Sequence, residues 1–282
     1  MRFAIKTAPQ MTTWPAMLEV WQAADRIELF ESAWNFDHFE PIYGGPRNGP
    51  CLEGWTMLAA MAQATTRIRV GCMVTGNPYR HPAVLANMAA TVDVISGGRL
   101  ELGLGAGWNQ AESDAYGIEL PALRERFDRF DEACQVIIGL LSEPQFSFAG
   151  EHYVISDAYC EPKPPQRPHP PIVIGGDGER RTLRAVARYA QKWNTPFTDA
   201  ATLARKRDVL AGHCADIGRD PSEIEITAQV AYDPSKGYGA TVEWAASLAD
   251  AGCDLAVIGL PPSEHRADAL EPLAAALAPL AG

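Results

Sequence analysis

Short strand-like runs and longer helix-like runs alternate eight times along this chain, and no other feature of the sequence restricts the fold as much. Strands are predicted at Arg2–Lys6, Glu31–Phe36, Arg69–Val74, Leu100–Gly105, Ile172–Ile174, Gln191–Asn194, Ile224–Gln229 and Asp254–Ile258. Helices are predicted between and after them, at Trp14–Ala24, Trp55–Thr65, Pro82–Ile95, Leu123–Leu141, Thr182–Tyr189, Thr202–Ile217, Thr241–Ala251 and Glu264–Leu280. In the fourth helix Leu123, Phe127, Phe130, Cys134, Ile137 and Leu141 fall on one stripe with charges opposite, as a helix packed against a sheet requires. A small hairpin is expected at Phe146–Phe148 and Tyr153–Ile155, followed by an extended proline-rich connector over Pro162–Pro171. Strand–helix units in series place the chain in the α/β class and favour a closed (β/α)8 TIM barrel with insertion loops; an open doubly wound sheet is the alternative. At 282 residues the chain fits one barrel domain spanning 1–282, since such barrels run to about 250 residues.

Composition narrows the function. With 24 basic and 35 acidic residues the formal charge is −11, which argues against a broad nucleic-acid footprint or an anionic membrane surface. No apolar run approaches the ~20 residues of a membrane span, and Met1–Ala8 lacks a signal peptide's apolar core. Six cysteines stand singly and six histidines form no HxH or HExxH pair. We therefore expect reduced thiols, a cytoplasmic location and no dedicated metal site.

In a barrel, alternate strand residues face the interior and the helices. Leu100, Leu102 and Leu104 suit the helix side, leaving Glu101, Gly103 and Gly105 inward. By the same count Val70, Cys72 and Val74 face the helices, and Arg69, Gly71 and Met73 face inward. Inward glycines near the mouth would let a flat ring lie against the backbone. Lower down, a buried charge needs a partner, so a buried Arg69–Glu101 ion pair is expected.

Two stretches carry chemistry. Gly175-Gly176-Asp177-Gly178 follows a strand and opens a helix, where inward backbone N–H groups and the helix dipole favour a phosphate; a plain tight turn is the alternative. Gly103-Leu104-Gly105-Ala106-Gly107-Trp108 is not a dinucleotide fingerprint, because Trp108 stands where the third glycine belongs. Asp37 and His38 end the second strand, at the barrel's C-terminal mouth, where catalytic residues collect. His38 is the candidate for proton transfer near neutral pH; Asp37 shares the site, or caps the following turn and fixes His38 in one tautomer, or does both. Glu53 reads as a first-turn helix acid, and Arg80 and His81 as substrate contacts or helix-start residues.

Longer blocks point to a family. "FDHFEPI" (Phe36–Ile42), the segment from Glu53 to Trp108 containing "TGNPYRHPAVLANMAATVDVISGGRLELGLGAGW", "ERFDRFDEA" (Glu125–Ala133) and Glu161–Asn194 with "IVIGGDGERRTLRAVARYAQKWN" are similar to the luciferase-like oxidoreductases. Within these the chain resembles the actinobacterial group that uses coenzyme F420. The resemblance implies a (β/α)8 barrel and hydride transfer between reduced deazaflavin (F420) and a small organic substrate. An FMN-dependent monooxygenase and a non-catalytic flavin-binding protein are the alternatives. It implies that Met73 and Val74 match a strand-three bulge that often holds a non-prolyl cis peptide behind the ring. Gly105, Ala106 and Gly107 match the stretch lining the ring and ribityl region; Gly175, Gly176, Asp177 and Gly178 match the phosphate loop; Asp37 and His38 match an acid–histidine pair beside the ring. Arg180, Arg181, Lys163 or Arg167 would meet the deazaflavin's acidic tail. A homodimer is a possible assembly, being common in that family. Two positions depart from its sugar-phosphate dehydrogenase branch. Trp108 stands where that branch has a catalytic glutamate, and Ile42 where it has a tryptophan. Sugar-phosphate oxidation is therefore not expected, and His38 is left without its acid partner. Tyr43, Tyr79, Trp108 and Trp193 are candidate walls of a substrate space whose shape depends on the loops at Glu40–Leu52, Asn109–Leu120 and Ala231–Ala240.

Overall fold

The computed structural model describes residues 1–43 and 45–282. Its barrel strands are β1 (Arg2–Thr7), β2 (Phe30–Asn35), β3 (Arg69–Cys72) with its short continuation β4 (Thr75–Gly76), β5 (Leu100–Gly105), β8 (Ile172–Gly175), β9 (Lys192–Thr195), β10 (Glu225–Ala231) and β11 (Leu255–Leu260). All pair in parallel, in the order β3-β2-β1-β11-β10-β9-β8-β5, and β5 returns to pair with both β3 and β4. Because β4 continues β3 after a break, eight strands close the ring, as the alternation predicts. The hairpin β6 (Phe146–Ala149) and β7 (Val154–Ala158) lies outside it.

Helices α1 (Trp14–Arg26), α2 (Gly54–Ala64), α3 (Pro82–Ser96), α5 (Leu123–Ser142), α6 (Thr182–Tyr189), α7 (Ala200–Asp216), α8 (Gly237–Asp250) and α9 (Leu270–Leu277) cover the barrel, and a two-turn α4 (Gln110–Tyr116) sits above β5. Their ends follow local chemistry. Thr13 caps α1 through its hydroxyl, Pro82 opens α3, and Gly97 closes α3 in the left-handed region at φ 66°. Sequence reasoning treated Asn109–Leu120 as loop; the short α4 formed there has Asn109 as its N-cap and Gly117, also left-handed, as its end.

Two apolar layers result. Leu100, Leu102, Leu104, Val70 and Cys72 belong to the layer between strands and helices, while Ala4, Trp34, Met73, Val173, Leu255 and Val257 fill the barrel's interior. The expectation for Val74 was wrong: it packs on the interior cluster, not the helix layer. The β3 ladder stops at Cys72 and resumes at Thr75 opposite Leu104, with a cis Met73–Val74 peptide in the gap. Two-residue alternation does not carry through that break, so Met73 and Val74 both turn inward.

The expected Arg69–Glu101 pair is present, Nε to Oε1 at 2.6 Å. It is wider and less buried than predicted. Glu101 is closed off but Arg69 is 31% exposed, and Lys192 Nζ joins Glu101 at 3.0 Å. This cluster lies at the N-terminal rim and ties β3, β5 and β9 together below the site.

Candidate active site

A cavity of about 860 Å³ opens at the C-terminal ends of the strands, where barrel enzymes place their chemistry. Asp37, His38, Met73, Val74, Gly105, Ala106, Gly107, Gly175, Gly176, Asp177 and Gly178 all line it. Residues from four separate stretches therefore meet on one rim.

The glycines do not leave the bare backbone slot that the sequence implied. A Cβ on Gly105 would lie 2.6 Å from one Val74 methyl, and one on Gly175 would lie 2.8 Å from the other. A Cβ on Gly103 would strike the Cys72 carbonyl at 1.9 Å. Gly105 and Gly175 therefore leave the space that Val74 occupies, while Gly103 lets the Cys72 carbonyl approach. The isopropyl group thus forms the floor against which a planar ligand can rest, and the cavity continues beyond it.

At the far side, Gly176 sits at φ 117°, a conformation glycine adopts readily. Its amide donates to the Asn194 carbonyl at 3.0 Å, so it is the amides from Asp177 onward, in the turn that leads into α6, that can meet an anion. Thr182 stands beside Gly178, and Lys206 pairs with the Asp177 carboxylate. The loop's one acid is thereby neutralised. Of the cations suggested for an acidic tail, Arg181 is committed to Asp128. Lys163 donates to Leu140 O, and Arg167 sits in the connector that enters β8 at the opposite rim. Arg180 alone is exposed next to the loop.

His38 has an acid partner after all. Its Nδ1 lies 2.7 Å from Glu112 Oε2, across a gap of 74 residues. Glu112 is fully buried, yet all its acceptor sites are used: the Tyr79 hydroxyl donates to Oε2, and the Phe39 and Glu40 amides donate to Oε1 at 2.6 and 3.3 Å. Burial alone would raise its pKa, but the hydrogen bonds from His38, Tyr79 and Phe39 outweigh it and hold the carboxyl below the ordinary range. An ionised carboxylate only accepts. The proton therefore sits on His38 Nδ1, and Nε2 is the basic nitrogen in the cavity wall. Burial, reinforced by the bond to Glu112, pushes the Tyr79 hydroxyl far above its usual range, which keeps it a donor.

Sequence reasoning missed Glu112, although a signal existed. Asn109 and Glu112 have the spacing of a helix capping box, and Asn109 Oδ1 does accept the Glu112 amide at 3.3 Å. The glutamate side chain turns inward to His38 instead of back to the cap. Trp108 holds the sequence position and Glu112, one helical turn further on, supplies the carboxylate.

Asp37 has a different partner from the one expected. The Arg80 guanidinium grips it at 2.6 and 2.8 Å and the Gly76 amide adds a bond at 3.1 Å. Among the described residues it makes no bond to His38, so it anchors the strand end and does not orient the imidazole. Glu53 caps α2 through the Trp55 and Thr56 amides, and His81 caps α3, as the plainer reading of each supposed. Tyr43 and Trp108 stack at 5.6 Å in the mouth, with Trp108 edge-on to His38 at the same spacing. Trp193 is no wall: it is fully buried and donates to Gly176 O at 2.7 Å. Tyr232, from the Ala231–Ala240 loop, lines the cavity as expected of that loop, and Phe197 and Pro261 line it without any sequence signal.

The profile of the luciferase-like monooxygenase family matches residues 1–235. An FMNH2-dependent dimethylsulfone monooxygenase from Pseudomonas putida is 30% identical over 245 residues, covering 79% of this chain and 65% of that protein. An F420-dependent glucose-6-phosphate dehydrogenase from Kineococcus radiotolerans is 30% identical over 226 residues, covering 76% and 64%. The chain thus spans just under two thirds of the length of both relatives. Among solved structures, an F420-dependent secondary alcohol dehydrogenase superimposes with a TM-score of 0.85 at 20% identity, covering 98% of each chain; this likeness speaks for the fold. No helix among the described residues is long and apolar enough to cross a membrane.

Proposed function

The chain belongs to the luciferase-like monooxygenase family, and on that premise we propose that it is an oxidoreductase passing a hydride between coenzyme F420 and a small organic substrate. The observation that carries this reading is the meeting of three features in one cavity: an apolar seat, a glycine turn with amides available to an anion, and an imidazole whose second nitrogen has no partner among the described residues. Bound there, the deazaflavin would carry the hydride. The chain's own residues do the rest. Val74 supports the ring from below, with Gly105, Ala106 and Gly107 along its length. Amides of Asp177 and Gly178 and the Thr182 hydroxyl hold the phosphate. His38 Nε2 exchanges a proton with the substrate oxygen while Glu112 and Tyr79 keep the imidazole oriented. Tyr43 and Trp108 cover the substrate and exclude water. Asp37, tied to Arg80, holds the His38 segment in place.

F420-dependent relatives favour this cofactor. The dimethylsulfone monooxygenase, equally identical to this chain, favours a second reading in which FMN is reduced elsewhere and oxygen is consumed here. Incubation of oxidised F420 with a panel of small alcohols, and of reduced F420 or reduced FMN with ketones and enones, followed by absorbance and oxygen electrode, separates the two. Substrate-dependent reduction or reoxidation of F420 without oxygen uptake is expected. Substrate-dependent oxygen uptake with FMN and not with F420 would give the site to a monooxygenase.

The phosphate assignment has its own test. Gly176 cannot take a side chain without strain at its φ, but Gly178 carries no such restriction, and a Cβ there would meet only the Thr182 hydroxyl at 3.0 Å. Gly178→Asp should leave the fold intact, since Gly178 is exposed and its backbone is outside the left-handed region. It should weaken FMN and F420 at least about tenfold, as a charge facing a phosphate does, and leave phosphate-free riboflavin unaffected. Equal losses for FMN and riboflavin would remove the loop from phosphate binding.

A further inference from the structure

The wall of the cavity contains four charged or titratable groups besides the tyrosines, and three of them are paired inside the protein. Asp37 has Arg80, His38 has Glu112, and Asp177 has Lys206. The fourth, Lys6, has no oppositely charged partner among the described residues. It follows Ala4 on the inward face of β1 and reaches the cavity from below.

One side-chain chain of hydrogen bonds fixes what surrounds it. The Thr227 hydroxyl donates to Trp193 O at 3.0 Å, so it accepts from Asn194 Nδ2 at 2.9 Å. Asn194 must then present Oδ1 to Gln229 Nε2, at 2.9 Å, and Gln229 must present Oε1 to Lys6 Nζ, at 2.8 Å. The orientation of both amides is set from the far end. An ammonium has three donors, and this network takes one. Burial pushes Lys6 down to about 8, as expected for a cation that has lost water without gaining an anion. A group this costly is best explained by what enters the cavity.

Resting on the cofactor reading above, we propose that Lys6 Nζ binds a pyrimidinedione oxygen of the redox ring and holds the reduced ring more tightly than the oxidised one. Asn194 lies beside Gly175, its partner in the β8–β9 register, so the polar layer begins at the ring's seat and ends at Lys6. The pyrimidinedione is the ring's polar end, and it offers acceptor oxygens. When the central ring position accepts a hydride, a new bond to hydrogen forms there. The displaced electron pair moves to the N1–C2–oxygen edge, which then takes a proton from solvent or remains anionic against a cation. Lys6 supplies that cation. The same contact to the oxidised ring meets only a neutral carbonyl and is weaker.

The test is a pair of titrations, with oxidised and with reduced F420, on wild type, Lys6→Met and Lys6→Arg, following cofactor absorbance and protein fluorescence, with FMN in parallel. Lys6→Met should bind reduced F420 about tenfold more weakly or worse, and oxidised F420 within about threefold of wild type. A tenfold loss confined to the reduced form equals a fall of about 30 mV in the bound two-electron potential. Lys6→Arg should keep the preference for the reduced form. The unliganded Lys6→Met protein should melt no lower than wild type, because an unpaired charge has been removed. Equal affinities for both variants in both redox states overturn the proposal, and so do equal losses in both states with a lower melting temperature. Wild type that binds neither F420 nor FMN overturns the cofactor reading itself, a result distinct from either.

Discussion

Glu112→Gln is expected to slow hydride transfer by about 10²–10⁴-fold, the range lost with a positioned acid–base group, while cofactor affinity stays within about twofold. The substitution keeps the side chain's size but removes the charge that assigns the His38 tautomer. A neutral amide can present its NH2 to Nδ1, and the imidazole then places its proton on Nε2, where no lone pair is left to accept the proton of an alcohol being oxidised. Stopped-flow absorbance of bound F420, with a substrate that the wild type turns over, measures the effect. Because Glu112 acts through His38, the double variant with His38→Gln should lose no more than His38→Gln alone. Additive losses would mean that Glu112 serves some other step. Stability should change as well. Glu112 has a lowered pKa in the folded protein, so its contribution is present above the unfolded-state value and is lost as the pH falls through the folded one. Acid unfolding of Glu112→Gln should therefore be flatter below the ordinary glutamate range.

Gly105→Leu should abolish cofactor binding, by at least about a hundredfold or 2.8 kcal/mol. Even the first side-chain carbon would sit 2.6 Å from a Val74 methyl. The isobutyl group must either push Val74 off its seat or project into the cavity, and in both cases the ring loses its support. The backbone at Gly105 is not in the left-handed region, so the fold should survive with the 1–3 kcal/mol penalty typical of overpacking. A melting curve checks this, and a fluorescence titration with F420 checks binding. Unchanged affinity in a folded variant would move the ring elsewhere.

The sequence made the architecture readable because strand and helix periodicity are local properties. The stripe from Leu123 to Leu141 and the alternation in Leu100–Gly105 each need only a few neighbouring residues to show themselves. The meeting of Asp37–His38, the strand-five glycines and Gly175–Gly178 also followed, since a barrel sends every strand end to one rim. What stayed hidden depends on distant partners or on a break in regularity. His38 finds Glu112 at a separation of 74 residues, and Lys6 finds Gln229 at 223; nothing in either local segment announces the other. Glu112 was further masked by a capping-box spacing that gives it an ordinary explanation. Val74 was placed on the wrong face because alternation counts assume an unbroken strand, and β3 breaks at Cys72. The glycines were correctly placed on the inward face, but their reason was misread: they make room for Val74, and Val74 makes the seat.

Trp108 stands in the cavity wall beside His38, half exposed, so a ring arriving on Val74 would come close enough to quench it. Titrating the protein with F420 and, separately, FMN while following tryptophan emission is therefore the most direct measurement. The account predicts saturable quenching, tighter with F420 than with FMN and lost in Gly105→Leu. Emission that neither compound changes, or that Gly105→Leu reports as strongly as wild type, would show that no redox ring occupies this seat.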